Sequence, residues 1–462
     1  MRTPSRSCGG SRQTPRNYFA HQVISARKGI IAYLPLIMAV GVLLTATMVG
    51  AYFVIPDVLN YQCYATAFWF GAQTSQLLPA SQCQFIPQIS QYHTLPLEYP
   101  PLTLFIFSLP LLVPVVNYTL MFALFMAVIV SFIYWLLLKY GPHGAGVIFA
   151  ACLLVGCLAT TLARFDMFPA ALTLLCVIWA ERKHWTLAYG ALALGVLTKL
   201  YPIVLFPLLF LAEQRDRVGF FIPDQSIMLK TAPTVFLHSV RSMRSWCWKN
   251  GLMFIGLVLG VTACFGVLIS KGAFNSLSYL YFRPFQVESI GSVLLWLASL
   301  LGVPVERKNS FGSLNTLSPI AGGVSQFLVI LLCMGYIFIV IQQWKGKMNF
   351  VQAFLAMLLV LVSTSKVFSP EYLLWLIPLL AYSATGNRKL WLYWGGISIL
   401  TTLIYPIYYG VIANLNGSFL DSGFLPVILL RDGLFVLLTI GYLFNFLNLR
   451  ESSDLPSGCC GS

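Results

Sequence analysis

The sequence predicts an all-α polytopic membrane protein of about twelve transmembrane helices, and three observations carry that reading. First, 58% of the residues are hydrophobic and only 9% are charged, with a mean hydropathy of +0.81; ordinary globular domains sit near 25% charged. Second, apolar runs long enough to cross a hydrocarbon core of about 30 Å, roughly 20 residues as helix, recur from Ile30 almost to the C-terminus. They lack the strict alternation of outer-membrane strands, which leaves a helical bundle. Third, Arg2, Arg6, Arg12, Arg16, Arg27 and Lys28 precede the first run with no acidic residue among them. Basic flanks stay in the cytoplasm while the following loop is translocated. The net charge of +14 then reflects orientation and anionic lipid head groups, not nucleic acid.

Residues 1–29 read as a basic cytoplasmic segment, 30–450 as the transmembrane domain and 451–462 as a cytoplasmic tail. The first run is too long for a signal-peptide core and is expected to stay as an uncleaved helix. Crossings are expected at about 30–54, 118–138, 144–163, 166–181, 185–198, 201–213, 251–271, 320–343, 350–365, 370–384, 389–411 and 425–448. With the N-terminus inside, Lys139, Arg182-Lys183, the 214–250 loop, Lys345, Lys347, Arg388-Lys389 and Arg450 all face the cytoplasm. Of the clustered basic loops, only the mixed group Glu306-Arg307-Lys308 falls on the other side. The 55–117 segment reads as an external loop with interfacial helices. Its stretch 55–98 holds no Lys or Arg but is rich in aromatic residues, and Pro100, Pro101, Pro110 and Pro114 suit a short or bent helix. Cys63 and Cys83 share this loop, where an oxidising compartment would allow a disulfide.

That topology sends a short set of polar residues to one face from separate segments: Asp57, His93, Glu98, Tyr99, Arg164, Asp166, Lys199, Tyr201, Arg283, Gln286, Glu288, Lys366, Glu371 and Tyr372. Charges are costly at the bilayer centre and less so toward its surfaces, so their convergence at one set of helix ends predicts a polar cavity. Each also has a plainer reading. Asp57 suits a helix N-cap, Lys199 a snorkelling lysine, and Arg164 with Asp166 a structural clamp. The functional reading of Asp57 is a general base.

In order along the chain, Asp57-Val58-x-x-Tyr61, Glu98-Tyr99-Pro100-Pro101-Leu102, Arg164-Phe165-Asp166-x-x-Pro169, Lys199-x-Tyr201-Pro202 and Ser369-Pro370-Glu371-Tyr372-x-x-Trp375 resemble the GT-C class of membrane glycosyltransferases. The likeness is greatest to family 87, which includes polyprenyl-phosphate-mannose-dependent mannosyltransferases. Phe165 stands where that pattern has a tyrosine. The resemblance implies a GT-C-like bundle in a plasma membrane, with both termini cytoplasmic and the active site extracytoplasmic. It implies a hexose or pentose, mannose foremost, moved with inversion from a polyprenyl-phosphate donor to a glycolipid or glycan acceptor. Asp57 would take the acceptor proton. Lys199 first, then Arg164, Arg283 and Lys366, would hold the leaving lipid phosphate, while Glu98, Glu371 and the remaining polar residues, Tyr61 included, would contact substrate. No cofactor is implied; a divalent metal stays open. A transporter or flippase, which would carry charges near helix centres and repeat symmetry, and a polysaccharide polymerase or ligase, which would carry a large late loop, are the competing readings.

Overall fold

The computed structural model describes residues 31–49, 57–79, 81–86, 95–96, 98–218, 246–269, 275–384, 386–412 and 423–444. The segments 1–29, 451–462 and most of the 214–250 loop lie outside the described residues. The fold is a helical bundle. Among the described residues, six helices are long and apolar enough to cross a membrane by length and composition: Ile31–Val49, Val115–Tyr140, Lys249–Ile269, Ala321–Trp344, Arg388–Tyr409 and Leu425–Leu443. Two of them present bare apolar surface, with Leu252, Leu259 and Val267 on one and Val329, Met334 and Ile337 on the other. Such faces suit acyl chains, since a water-facing helix would carry polar residues there.

Around the site the helices are shorter. We label α1 Ala145–Leu154, α2 Met167–Glu181, α3 Trp185–Thr198, α4 Phe350–Thr364, α5 Tyr372–Ser383 and α6 Leu425–Leu443. The helices α2 and α3 form an antiparallel pair, and α5 packs against α1, α2 and α4. One continuous core joins them, including Phe149, Leu174, Leu192, Phe354 and Leu376. The helix α4 begins with a reciprocal cap, in which Asn349 accepts from the Gln352 backbone and Gln352 accepts from that of Asn349. That cap satisfies donors a helix start leaves open. Pro378 sits inside α5, tolerated where neighbouring helices cover the backbone.

Three details differ from the sequence expectation. The run expected to cross over 144–163 is helical only to Leu154. Gly156, at φ +100°, lies where a Cβ would come within 2.9 Å of the Ser398 Cβ, and its N–H donates to Thr402 Oγ1 at 2.9 Å. A left-handed residue that permits this close approach turns the chain, so 157–166 returns as turns and delivers Arg164 and Asp166. The span from Arg388 is α-helical to Thr402 and continues in wider helical turns over Leu403–Ile412, kinked where Tyr405 takes extended backbone. The mixed Glu306-Arg307-Lys308 group lies in an antiparallel hairpin, Glu306–Ser310 paired with Ser313–Leu317, whose second strand also pairs with Phe285–Gln286. Phe311 and Gly312 at its tip both take positive φ, the geometry of a tight hairpin turn. A strand ladder satisfies its own backbone, and a hydropathy reading for helices passes over it.

The external-loop helices form as short pieces: Asp57–Phe70, then Thr103–Ser108 running into Leu109–Leu112. Cys63 and Cys83 are joined by a disulfide with Cα atoms 5.6 Å apart.

Candidate active site

Asp57 is the first residue of its helix, where the helix dipole favours a carboxylate. Its Oδ2 pairs with Arg164 Nη2. Arg164 Nη1 reaches Glu371 Oε1 at 2.9 Å, so one guanidinium spans two carboxylates from distant segments. The Asp57 and Arg164 side chains keep 32% and 25% of their surface, whereas Glu371 keeps 6%. The cluster therefore opens on the Asp57 side. Beneath it, Asp166 is 1% exposed and takes Lys199 Nζ at 2.5 Å and Trp375 Nε1 at 2.6 Å on the same oxygen. Three carboxylates (Asp57, Asp166, Glu371) against two cations (Arg164, Lys199) leave one net negative charge when all are ionised.

Local sequence explains the delivery. Arg164 and Asp166 flank Phe165, which is fully buried and meets Tyr61, Tyr99 and Phe107 edge-on at 5.1–5.7 Å. The apolar residue anchors the turn and the polar ones beside it face the site. Lys199 ends α3 in extended backbone, with its ammonium 5.0 Å from both the Phe165 and Trp375 rings. Trp375 is sandwiched between Tyr201 at 4.1 Å and Tyr372 at 4.0 Å. Stacked rings of this kind are worth about 0.5–1.5 kcal/mol each beyond their area, and they fix the floor. Tyr61 is buried and stacked on Phe107 at 4.3 Å, so it backs the site.

A second group faces the first. Glu98 lies beside Tyr279 and Arg283, and a Cβ on Gly312 at the hairpin tip would sit 3.5 Å from its Oε1. Burial pushes the Glu98 carboxyl up, against the pull of Arg283. The Tyr279 hydroxyl donates to Phe311 O at 2.6 Å and Arg283 Nη2 to Ser313 Oγ at 3.0 Å, tying the hairpin over this corner. Lys366 Nζ donates to the Tyr281 carbonyl at 2.9 Å. Among the described residues, neither Arg283 nor Lys366 has a carboxylate within 4.0 Å, unlike Arg164 and Lys199. Gln286 exchanges hydrogen bonds with Ser369 at 2.7 and 3.0 Å. Glu288 is buried; desolvation pushes its carboxyl up to about 7 despite Arg431. His93 lies outside the described residues.

Residues 97–222 match glycosyltransferase family 87. The match indicates a glycosyltransferase and supports the resemblance read from the ordered motifs. It spans Glu98, Tyr99, Arg164, Asp166, Lys199 and Tyr201, while Asp57 and the residues from Arg283 onward lie outside it. A comparison with curated proteins gives no match.

The sequence reading missed several members of this end of the bundle. Tyr405 lies within electrostatic reach of Asp57, Arg164, Glu371 and Glu288, and Tyr409 bonds Glu288. Arg431 and Asp432, inside α6, are buried at 0% and 3%. Charged residues therefore stand inside a membrane helix as well as at the helix ends where the sequence placed the polar set. The signal was present, since two adjacent charges inside an apolar run mark a functional position in a membrane protein.

Proposed function

We propose that this glycosyltransferase moves a sugar, mannose foremost among hexoses and pentoses, from a polyprenyl-phosphate donor to a lipid or glycan acceptor at the extracytoplasmic face of a plasma membrane. The observation that carries the reading is Asp57: partly exposed, held through Oδ2 by Arg164, and with Oδ1 unengaged among the described residues. A carboxylate fixed by one oxygen and open at the other is suited to accept a proton in flight.

In the proposed reaction the acceptor hydroxyl loses its proton to Asp57 Oδ1 as its oxygen attacks the sugar C1. The C1–O bond to phosphate breaks on the opposite face, so the anomeric centre inverts. The leaving lipid phosphate carries the charge away. Arg283 and Lys366 are the cations we assign to it first, because among the described residues neither has a carboxylate within 4.0 Å, although Arg283 also lies beside Glu98, and charge-assisted hydrogen bonds to an oxyanion are the strong ones. Lys199, ranked first from sequence, would have to leave Asp166, and Arg164 would have to leave two partners. Both then serve better as clamps that orient Asp57, Asp166 and Glu371. Glu98, under the hairpin tip, and Tyr372 and Tyr405 flank the space where sugar and acceptor hydroxyls would lie.

The test is transfer by purified protein in detergent, using radiolabelled polyprenyl-phosphate-mannose and a membrane-lipid extract as acceptor pool. Label should enter a new product with the wild type and not with Asp57→Asn. Transfer that survives the substitution would remove Asp57 as base. Absence of transfer from a panel of lipid-linked sugars would return weight to a flippase.

A further inference from the structure

Arg431 has no motif to explain it and stands in the interior of the last membrane helix. Its Nε and Nη2 bond Asp432 Oδ1 at 2.9 and 2.8 Å. Nη2 also donates to the Glu288 carbonyl, Nη1 lies 3.6 Å from Glu288 Oε2, and the guanidinium lies over the Phe368 ring at 4.0 Å. The side chain thus touches two separate segments, 285–289 on one side and 366–371 on the other. Those segments are also stitched to each other: Gln286 N donates to Lys366 O at 2.9 Å, and its amide is paired with Ser369 Oγ. Two residues after Ser369 comes Glu371, which holds Arg164, which holds Asp57.

We infer that Arg431 is a positioning residue, wedged between the Glu288 turn and Phe368 so that the Ser369–Glu371 turn, and through it Arg164 and Asp57, keep the geometry for proton transfer. Burying a guanidinium costs more than a plain structural contact needs, since apolar side chains of similar volume often serve a core as well or better. The contacts run directly to the site instead. This inference rests on Asp57 acting as base; the chain of contacts does not.

The experiment uses the full chain in detergent with Arg431→Met, Glu371→Gln, their combination, and the charge-free pair Arg431→Met/Asp432→Leu. Removing both charges guards against a fold lost to an unpaired buried Asp432. Thermal unfolding comes first and needs no activity. Sites joined through a shared network are non-additive, whereas distant independent ones add, so the Tm losses of Arg431→Met and Glu371→Gln should sum to more than the combined variant shows. Kinetics follow. The folded charge-free pair should lose about 100-fold in kcat, the scale of an ångström of misplacement, with donor KM within about threefold. Glu371→Gln should subtract little more in that background. Additive Tm losses, or a charge-free pair that regains wild-type kcat along with its fold, would overturn the inference. If the wild type transfers no sugar, the proposed function falls, and the Tm coupling alone still decides whether Arg431 and Glu371 act as one unit.

Discussion

Glu288 offers a measurement whose sign and size follow from burial. Its carboxyl is raised from 4.5 to about 7, first by desolvation, with Arg431 pulling the other way. The folded protein therefore keeps this proton up to about pH 7, while the unfolded chain releases it near 4.5. Stability from this group is fully present below pH 4.5, declines through the interval, and is lost above about 7. At about 1.4 kcal/mol per pH unit, the displacement corresponds to about 3 kcal/mol. Glu288→Gln replaces the neutral acid with a neutral amide and should abolish that decline. The assay is unfolding in detergent at pH 5 and pH 8 for both proteins. Glu98 also titrates upward and contributes a slope of the same sign, but it is common to both proteins and cancels in the comparison. Equal pH slopes would refute the reasoning. A variant that loses stability relative to wild type as pH rises would mean that Glu288 is ionised and bound to Arg431, reversing the sign.

Asp57→Asn should lower transfer by about 100-fold to 10,000-fold, the range for a lost general base, with little change in Tm. Arg283→Gln and Lys366→Gln should each raise the donor KM about 10-fold or more, since hydrogen bonds to a charged group contribute about 1.5–3 kcal/mol; Lys199→Met should instead lower Tm, because it strands the buried Asp166 carboxylate. The Cys63–Cys83 bridge should show as maleimide labelling of those two residues, resolved from the free and exposed Cys264 and Cys333, that appears only after reduction and unfolding, and Cys63→Ala/Cys83→Ala should cost about 3 kcal/mol for a loop of 20 residues. Labelling of both cysteines without reductant would count against the bridge.

The residues legible in the sequence were those at helix ends. Arg164, Asp166, Lys199 and Glu371 interrupt apolar runs, so their position alone announced a shared polar layer, and the bundle brings them into contact. Arg431 and Asp432 were illegible to the same method because the run around them keeps a mean hydropathy of 1.7; averaging hides two charges that a local scan would catch. The break at Gly156 depends on its contact with Ser398, 242 residues away in sequence, which no local pattern encodes. The hairpin failed for a third reason. Its alternation is short and polar, and its fit over Glu98 is tertiary.

The helices that frame the site have a mechanical consequence for the bilayer. The helices α2, α3 and α5 have 15, 14 and 12 residues, about 18–23 Å at 1.5 Å per residue, against a hydrocarbon core of about 30 Å. With their far ends level with one head-group layer, their site ends stop some 7–12 Å short of the other. Because α2 and α5 are mostly buried in the bundle, the shortfall is a recess of the protein itself, into which water and head groups can sag. If the donor is the polyprenyl phosphate we propose, its phosphate meets the charged floor by sinking, whereas a floor at the surface would require it to be hauled outward at about 0.8 kcal/mol per exposed methylene. In the proposed reaction the depth of that recess becomes a control on the approach of the lipid, exerted before any side chain touches it.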